Sequence, residues 1–292
     1  MRAHPADDRP ERQMQQIAQW LTESDRVLIG AGAGLSAAAG IDYTDQVGFA
    51  ERYPSLVKRG LRAAYQMIGY SELPEAAFWG YWADHVNEVR FSDRRSTVYE
   101  ELFELVRAKN WFVLTSNVDA LFARNGFDPH NVCAIQGDFA FLQCLVPCTT
   151  TVWDSAPSVR ALVGAIDPAT QEVRDSALIP RCPNCGGTVF FNVRGGGWFV
   201  EDHLRADFDR LRTWVKEGSA ERLLVLDIGS GFNTPSVVRW PMERVADAFP
   251  TSRFVRINLH DAEIPDGLAN RGMSVQTNAR EAIRALFLAA AR

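Results

Sequence analysis

Two textures of apolar residues alternate along the chain. Val27 to Ala31, Trp111 to Thr115, Leu223 to Ile228 and Phe254 to Ile257 are nearly unbroken apolar runs, and Cys133-Ala134-Ile135 is a shorter one. Short runs of this kind predict strands buried on both faces. Between them the apolar residues recur at helical spacing: Ile17, Trp20 and Leu21 within Gln13–Leu21; Leu102, Leu105 and Val106 within Thr97–Ala108; Leu204, Phe208, Leu211 and Val215 within His203–Val215; and Ile283, Leu286 and Phe287 within Ala279–Ala290. Such spacing places one face of each segment on a core. Val237–Ala248, after Pro235, is predicted helical as well. Strands alternating with helices predict an α/β fold around a parallel sheet.

Two stretches break that rhythm. Between residues 44 and 95, Leu56, Leu61, Tyr65 and Ile68 recur at helical intervals and Pro74 is placed to open a helix carrying Phe78, Trp79 and Trp82. This reads as a helical insertion whose aromatics form core or cleft wall. From 139 to 191, short runs, prolines and cysteines replace the alternation, which reads as a small inserted lobe with a loop or short hairpin near Trp153–Gln171. The expected division is therefore 13–138 with 192–292 as the large domain and 139–191 as the lobe.

The first strand runs into Gly30-Ala31-Gly32-Ala33-Gly34-Leu35-Ser36-Ala37-Ala38-Ala39-Gly40-Ile41. Strand, tight glycine loop and helix start in that order let a backbone approach a phosphate, with free N–H groups at the helix start to hold it. The same small residues also serve where a strand and a helix simply pack closely. The run is neither the G-x-G-x-x-G fingerprint, because Leu35 stands at its third glycine, nor a P-loop.

Composition adds two points. The formal charge of -5 argues against a general nucleic-acid binder. No apolar stretch reaches membrane-spanning length, and Met1–Arg12 is charged with no signal-like core, so a cytoplasmic location is the expectation. In that setting four of the five cysteines, paired as Cys144-x-x-x-Cys148 and Cys182-x-x-Cys185, suggest tetrahedral Zn²⁺ before disulfides. With four protein ligands no position remains for water, so the site would be structural. Cys133 stands apart as a small buried hydrophobe.

Polar residues collect at the ends of the predicted strands, where open α/β sheets hold ligands. Ser116, Asn117 and Asp119 follow the second strand, Gln136-Gly137-Asp138 the third, Gly229-Ser230 and Asn233 a late one, and Asn258 the last. Together with the glycine loop they describe a cleft for an extended nucleotide, although Asn and Asp also cap loops locally. The histidines show no arrangement with a nucleophile: His4 and His260 look peripheral, and His85, His130 and His203 stand without an evident partner.

At this point the sequence resembles the sirtuin family. Gly32 to Ile41 resembles its nucleotide-binding signature and Thr115-Ser116-Asn117-Val118-Asp119-Ala120-Leu121 its second; Gln136-Gly137, the cysteine pairs, Gly229-Ser230 and Asn258 follow in the family's order. The resemblance implies a Rossmann-like domain with a small zinc lobe and NAD⁺ as a consumed co-substrate. It implies that Gly32, Ala33, Gly34 and Ser36, with Gly40 and Ile41 closing the motif, hold the pyrophosphate. Asn117 and Asp119 would face nicotinamide and its ribose, and Gly229, Ser230, Asn233 and Asn258 would serve the adenosine half.

Two departures from ordinary sirtuin deacylases change the expected chemistry. Asp42-Tyr43-Thr44-Asp45 replaces Pro-Asp-Phe-Arg, and Gln136 stands where the family places its catalytic histidine. A glutamine amide cannot take a proton near neutral pH. These changes, with Phe49, Tyr53-Pro54, Gly60, Asn192-Val193-Arg194 and Phe199-Val200-Glu201-Asp202, resemble the class M sirtuins, linked to macrodomain hydrolases. That resemblance implies a protein ADP-ribosyltransferase whose acceptor is a lipoylated carrier related to the glycine-cleavage H protein. Asn117, Asp119 and Gln136 would then work at the scissile bond and Arg194 on the acceptor side, with Asp138 an alternative base. An NAD⁺-dependent deacylase, an NAD⁺ hydrolase and a non-catalytic NAD⁺ or ADP-ribose binder remain as alternatives.

Overall fold

The computed structural model describes residues 9–292; His4 lies outside the described residues. Its centre is a six-stranded parallel sheet in the order β3-β2-β1-β7-β8-β9. The strands are β1 (Arg26–Ala31), β2 (Asn110–Thr115), β3 (Val132–Ala134), then β7 (Leu223–Ile228), β8 (Arg253–Asn258) and β9 (Gly272–Gln276). Every residue of β1 and β7 is buried, as a parallel sheet covered on both faces requires.

Alternation along the strands divides the core in two. Val27 and Ile29 of β1 face the helices Arg9–Glu23, Thr97–Val106 and Ala279–Ala290 through Ile17, Leu21, Leu102 and Ile283. Leu28 joins Phe112, Leu114, Val225 and Phe254 against Trp214 and Met242 of helices Arg205–Glu217 and Arg239–Ala248 on the other side. Gly30 lies on that second face, where a Cβ would come within 2.7 Å of the Met242 sulfur. Among the described residues no helix is long and apolar enough to cross a membrane.

A second, antiparallel sheet has the order β5-β4-β6, from β4 (Gly137–Cys144), β5 (Trp153–Asp154) and β6 (Val189–Val193). The helix Glu75–Val86 packs its aromatic side against it: Trp82 meets Phe190 at 5.0 Å between ring centroids and Trp79 meets Phe191 at 5.8 Å. Trp79 and Trp82 are accordingly buried.

The differences from the sequence reading have local causes. Residues 153–171 hold a helix, Ala156–Gly164, beside a single bridge between Ile166 and Val173. Ala156, Val159 and Leu162 form its buried face, and Pro157, which looks like a breaker, sits in the first turn where proline is tolerated. The Arg239–Ala248 helix starts two residues later than predicted. Edge strand β9 was missed because only Val275 in it is buried, leaving almost no apolar pattern to read.

Candidate active site

The chain leaves β1 toward β2 and β3 on one side, whereas β7, β8 and β9 extend the sheet on the other. Strand order therefore reverses between β1 and β7, and the loops after these two strands part from a common crevice. The glycine loop enters here. Gly32 N–H donates to the Ile228 carbonyl at 3.0 Å and Gly34 N–H to the Gly229 carbonyl at 3.1 Å. A Cβ on Gly32 would meet the Ser230 Cα at 2.7 Å, and one on Gly34 the Gly229 Cα at 2.8 Å. Gly229 has φ +68°, a conformation that suits glycine. Both sequence readings of this loop thus meet: the glycines bring two strand-end backbones into contact, and that contact shapes the crevice floor. Helix Ala33–Ala38 ends with Gly40 at φ +88°, Gly40 N–H donating to Ala37 and Ile41 N–H to Ser36, a Schellman closure.

Ser36 of this short helix donates its hydroxyl to Asp119 Oδ2 at 2.5 Å, and the Leu121 backbone N–H donates to Asp119 Oδ1 at 2.9 Å. Burial nevertheless pushes the Asp119 carboxyl above its ordinary range, against these hydrogen bonds and the charge of Arg124. Asn117 Nδ2 donates to the Gly32 carbonyl at 3.0 Å, while its backbone N–H donates to Thr115 Oγ1, also at 3.0 Å. The amide nitrogen is thereby bound to the glycine loop. The sequence reading did not include Tyr99. Its ring is fully buried, and the Ser36, Asn117 and Asp119 side chains all act on its hydroxyl. Only its helical register among apolar residues was visible in the sequence.

Gln136 lies at the turn into β4. Its Oε1 is buried without a hydrogen-bond partner, and its backbone carbonyl accepts from Arg194 N–H at 2.9 Å. Asp138, the alternative base, is held by Arg90 at 2.6 and 3.2 Å and accepts the Ala140 N–H at 2.7 Å. These interactions stabilise the carboxylate as an acceptor already in use. Arg194 is exposed; it pairs with Glu201 at 2.6 Å, and its guanidinium lies 4.3 Å from the centre of the Phe199 ring.

At the other end of the crevice, Asn258 Nδ2 donates to the Ser230 carbonyl at 2.8 Å, and the buried Arg239 donates to the same carbonyl at 3.1 Å. Asn258 thus braces the Ser230 loop. Asn233 is exposed on that loop and is not drawn into this network.

His85 is the histidine that the sequence reading undervalued. It is buried in an aromatic cluster, stacked on Tyr81 at 5.4 Å and edge-on to Phe139 at 6.0 Å, with Nε2 2.9 Å from the Tyr43 hydroxyl. Burial pushes its pKa down to about 4, so the imidazole is neutral at neutral pH. Cys133 is buried as expected, its thiol raised to about 12 by the same effect.

In the lobe, the sulfurs of Cys144, Cys148, Cys182 and Cys185 all lie within 4.8 Å of one another. Cys144 and Cys185 are 3.7 Å apart and Cys148 and Cys182 3.5 Å, well beyond a disulfide bond of about 2.05 Å. A tetrahedron of sulfurs at about 2.3 Å from one ion has edges of about 3.8 Å, so the thiols fit such an ion.

A family model described as Sir2 family matches residues 32–232, more than half of the chain. A probable bifunctional ADP-ribose hydrolase/ADP-ribosyltransferase of Fusarium oxysporum f. sp. cubense is 36% identical over 245 residues, covering 82% of this chain and 41% of that protein. The chain thus spans about two fifths of the length of that relative. A protein ADP-ribosyltransferase of Staphylococcus aureus is 25% identical over 269 residues, 90% of this chain and 84% of its own. Among solved structures, a complex of a Sir2 homolog with NAD superposes with a TM-score of 0.56 at 18% identity, over 95% of this chain and 93% of that one.

Proposed function

The chain belongs to the Sir2 family, and from that premise we propose that it is a protein ADP-ribosyltransferase of the macrodomain-linked type, holding NAD⁺ across the β1/β7 crevice. The carrying observation is Gln136. Its amide oxygen is buried and unpaired, at the position that the family resemblance assigns to a catalytic histidine. An unpaired buried acceptor costs about 1–3 kcal/mol, and a ribose hydroxyl donating to it would remove that cost. The amide can orient the hydroxyl but cannot deprotonate it. That favours transfer to an external acceptor over the deacylase route, in which a base activates the ribose. The names of the Fusarium and Staphylococcus relatives support the same direction.

In this reading the amide oxygen of Asn117 accepts from the nicotinamide carboxamide. Asp119, fixed by Ser36 and the Leu121 N–H, faces the nicotinamide ribose and favours positive charge as the glycosidic bond lengthens. The contact between the Gly32–Gly34 loop and Gly229 carries the pyrophosphate against backbone, and the loop that Asn258 and Arg239 brace receives the adenosine half. Arg194, at the strand end next to Gln136, meets the acceptor protein, for which a lipoylated carrier is the proposed class. The four lobe cysteines would hold Zn²⁺. A bound zinc there supplies only cross-linking of the two ends of the lobe, because the four thiolates complete its shell.

Labelled NAD⁺ incubated with the chain, an acylated peptide and a carrier protein with or without lipoate tests this, with products identified by mass. Label on the carrier is the expected result. Acyl-ADP-ribose would establish deacylation, free ADP-ribose alone hydrolysis, and intact NAD⁺ with measurable binding a sensor; each overturns the transferase reading.

A further inference from the structure

We propose that Tyr43 and His85 form a buried dyad that presents the Tyr43 oxygen to a ribose hydroxyl of the bound dinucleotide, with His85 as its positioning residue. The inference rests on the crevice holding NAD⁺ as above, but concerns residues to which that reading assigns no role.

The geometry is built from three elements. Tyr43 follows the closure of helix Ala33–Ala38, two residues beyond Ile41, whose N–H is bonded to the Ser36 carbonyl at 2.9 Å. The Ser36 side chain is the one bonded to Asp119, so the chain reaches Tyr43 directly from the carboxylate's own partner. His85 comes from the last turn of Glu75–Val86. Phe139, three residues after Gln136, touches the imidazole edge-on at 6.0 Å and ties its own N–H to the Val118 carbonyl at 3.3 Å, between Asn117 and Asp119. The dyad is thus packed on Phe139, which follows Gln136 and is itself bonded to the Asn117–Asp119 segment.

The surroundings define its chemical state. The imidazole is enclosed by Tyr81 at 5.4 Å, Trp82 at 5.8 Å and Phe139, with the Tyr43 ring edge-on at 5.2 Å. In this apolar box the charged form is disfavoured. The Nε2 of the imidazole lies 2.9 Å from the phenol oxygen, and the dyad requires the neutral tautomer in which this nitrogen carries no proton and accepts that of the phenol. The Tyr43 oxygen is then left with lone pairs only, and it can act on a ligand as an acceptor but not as a donor. Tyr43 is partly buried against the main core, and its backbone carbonyl accepts the Tyr65 N–H at 3.0 Å. With Gln136 offering one acceptor and Tyr43 a second, a ribose carrying two vicinal hydroxyls finds a partner for each. Neither partner removes a proton, which fits a site that orients the sugar instead of activating it.

The test compares Tyr43→Phe, His85→Leu, His85→Gln and the Tyr43→Phe/His85→Leu double variant in the full chain. ADP-ribose affinity is read by calorimetry, and kcat and KM by nicotinamide release from NAD⁺. Expected are a kcat at least tenfold lower in Tyr43→Phe with KM and ADP-ribose affinity within about threefold, and the same loss in His85→Leu. The double variant should be no worse than either single, and His85→Gln, whose amide oxygen still accepts the phenol proton, should recover most of the rate. If Tyr43→Phe, which removes one oxygen and keeps the ring, turns over like the parent, the dyad is refuted while NAD⁺ use stands. It is also refuted if the two single losses multiply in the double variant. A parent chain that neither binds ADP-ribose nor releases nicotinamide overturns the crevice reading, and the dyad's role falls with it. Imidazole ¹⁵N shifts provide a readout independent of turnover: loss of the Tyr43 oxygen must change the Nε2 resonance of His85, and an unchanged resonance refutes the hydrogen bond.

Discussion

Arg256→Met is the sharpest perturbation that the structure offers. Arg256 lies on β8 at 1% exposure, and Asp227, its partner on β7, is fully buried. The guanidinium donates from Nε to Asp227 at 2.8 Å, from one terminal nitrogen to Glu243 at 2.7 Å and from the other to the Glu263 carbonyl at 2.6 Å. Removing one partner of a buried pair leaves the other uncompensated and costs about 3–5 kcal/mol. A chain whose whole stability is about 5–15 kcal/mol then loses roughly a fifth or more of it. Burial already holds the Asp227 carboxyl above its ordinary range despite Arg256, and losing the cation raises it further. The sign follows from linkage: a carboxyl raised in the folded state binds its proton there first, so acid stabilises the fold relative to the unfolded chain. The deficit of Arg256→Met should therefore shrink as pH falls from 7 toward 5. Replacing both partners, as in Asp227→Leu/Arg256→Met, should return stability to within about 1–2 kcal/mol of the parent, since apolar isosteres often match a buried pair. Urea unfolding followed by tryptophan fluorescence measures all three chains. A single variant within about 1 kcal/mol of the parent, or a double variant as unstable as the single, refutes the reasoning.

Other outcomes follow from the same geometry. Because His85 is held neutral down to about pH 4 against an ordinary value of 6.5, acid favours the unfolded chain across that window. The parent should lose on the order of 3 kcal/mol more than His85→Gln between pH 7 and 4 in the same urea assay. Gly34→Ala places a methyl 2.8 Å from the Gly229 Cα and should cost about 1–3 kcal/mol while weakening ADP-ribose binding in calorimetry at least tenfold. Gln136→Ala should lower nicotinamide release more than tenfold with little change in melting temperature, because it removes an unpaired acceptor. Metal analysis should find zinc stoichiometric with the chain. Cys148→Ser should lower that zinc content and expose the backbone amides of Val189–Val193 to hydrogen exchange, whereas a parent free of zinc would exclude a structural ion.

The sequence by itself determined the strands that bury both faces, the amphipathic helices and the terminal helix Ala279–Ala290, which the structure places at the same residues. It did so because period and apolar run length are local consequences of burial. The cysteine pairs were also legible, since each pair meets across a single turn, and the glycine loop advertised close backbone approach. What it left open was what each of those features touches. That Gly34 packs on the Gly229 backbone, almost two hundred residues away in the chain, was not visible locally. The commitment of the Asn117 amide to Gly32, the bracing of Ser230 by Asn258, the Tyr99 hydroxyl beside Ser36 and Asn117 and the pairing of His85 with Tyr43 likewise join residues that no local pattern connects. Hydrophobic periodicity records only that a side chain is buried. The choice of buried polar partners is made when the sheet crossing at β1 and β7 brings distant loops together, and that choice decides which atoms remain free for chemistry.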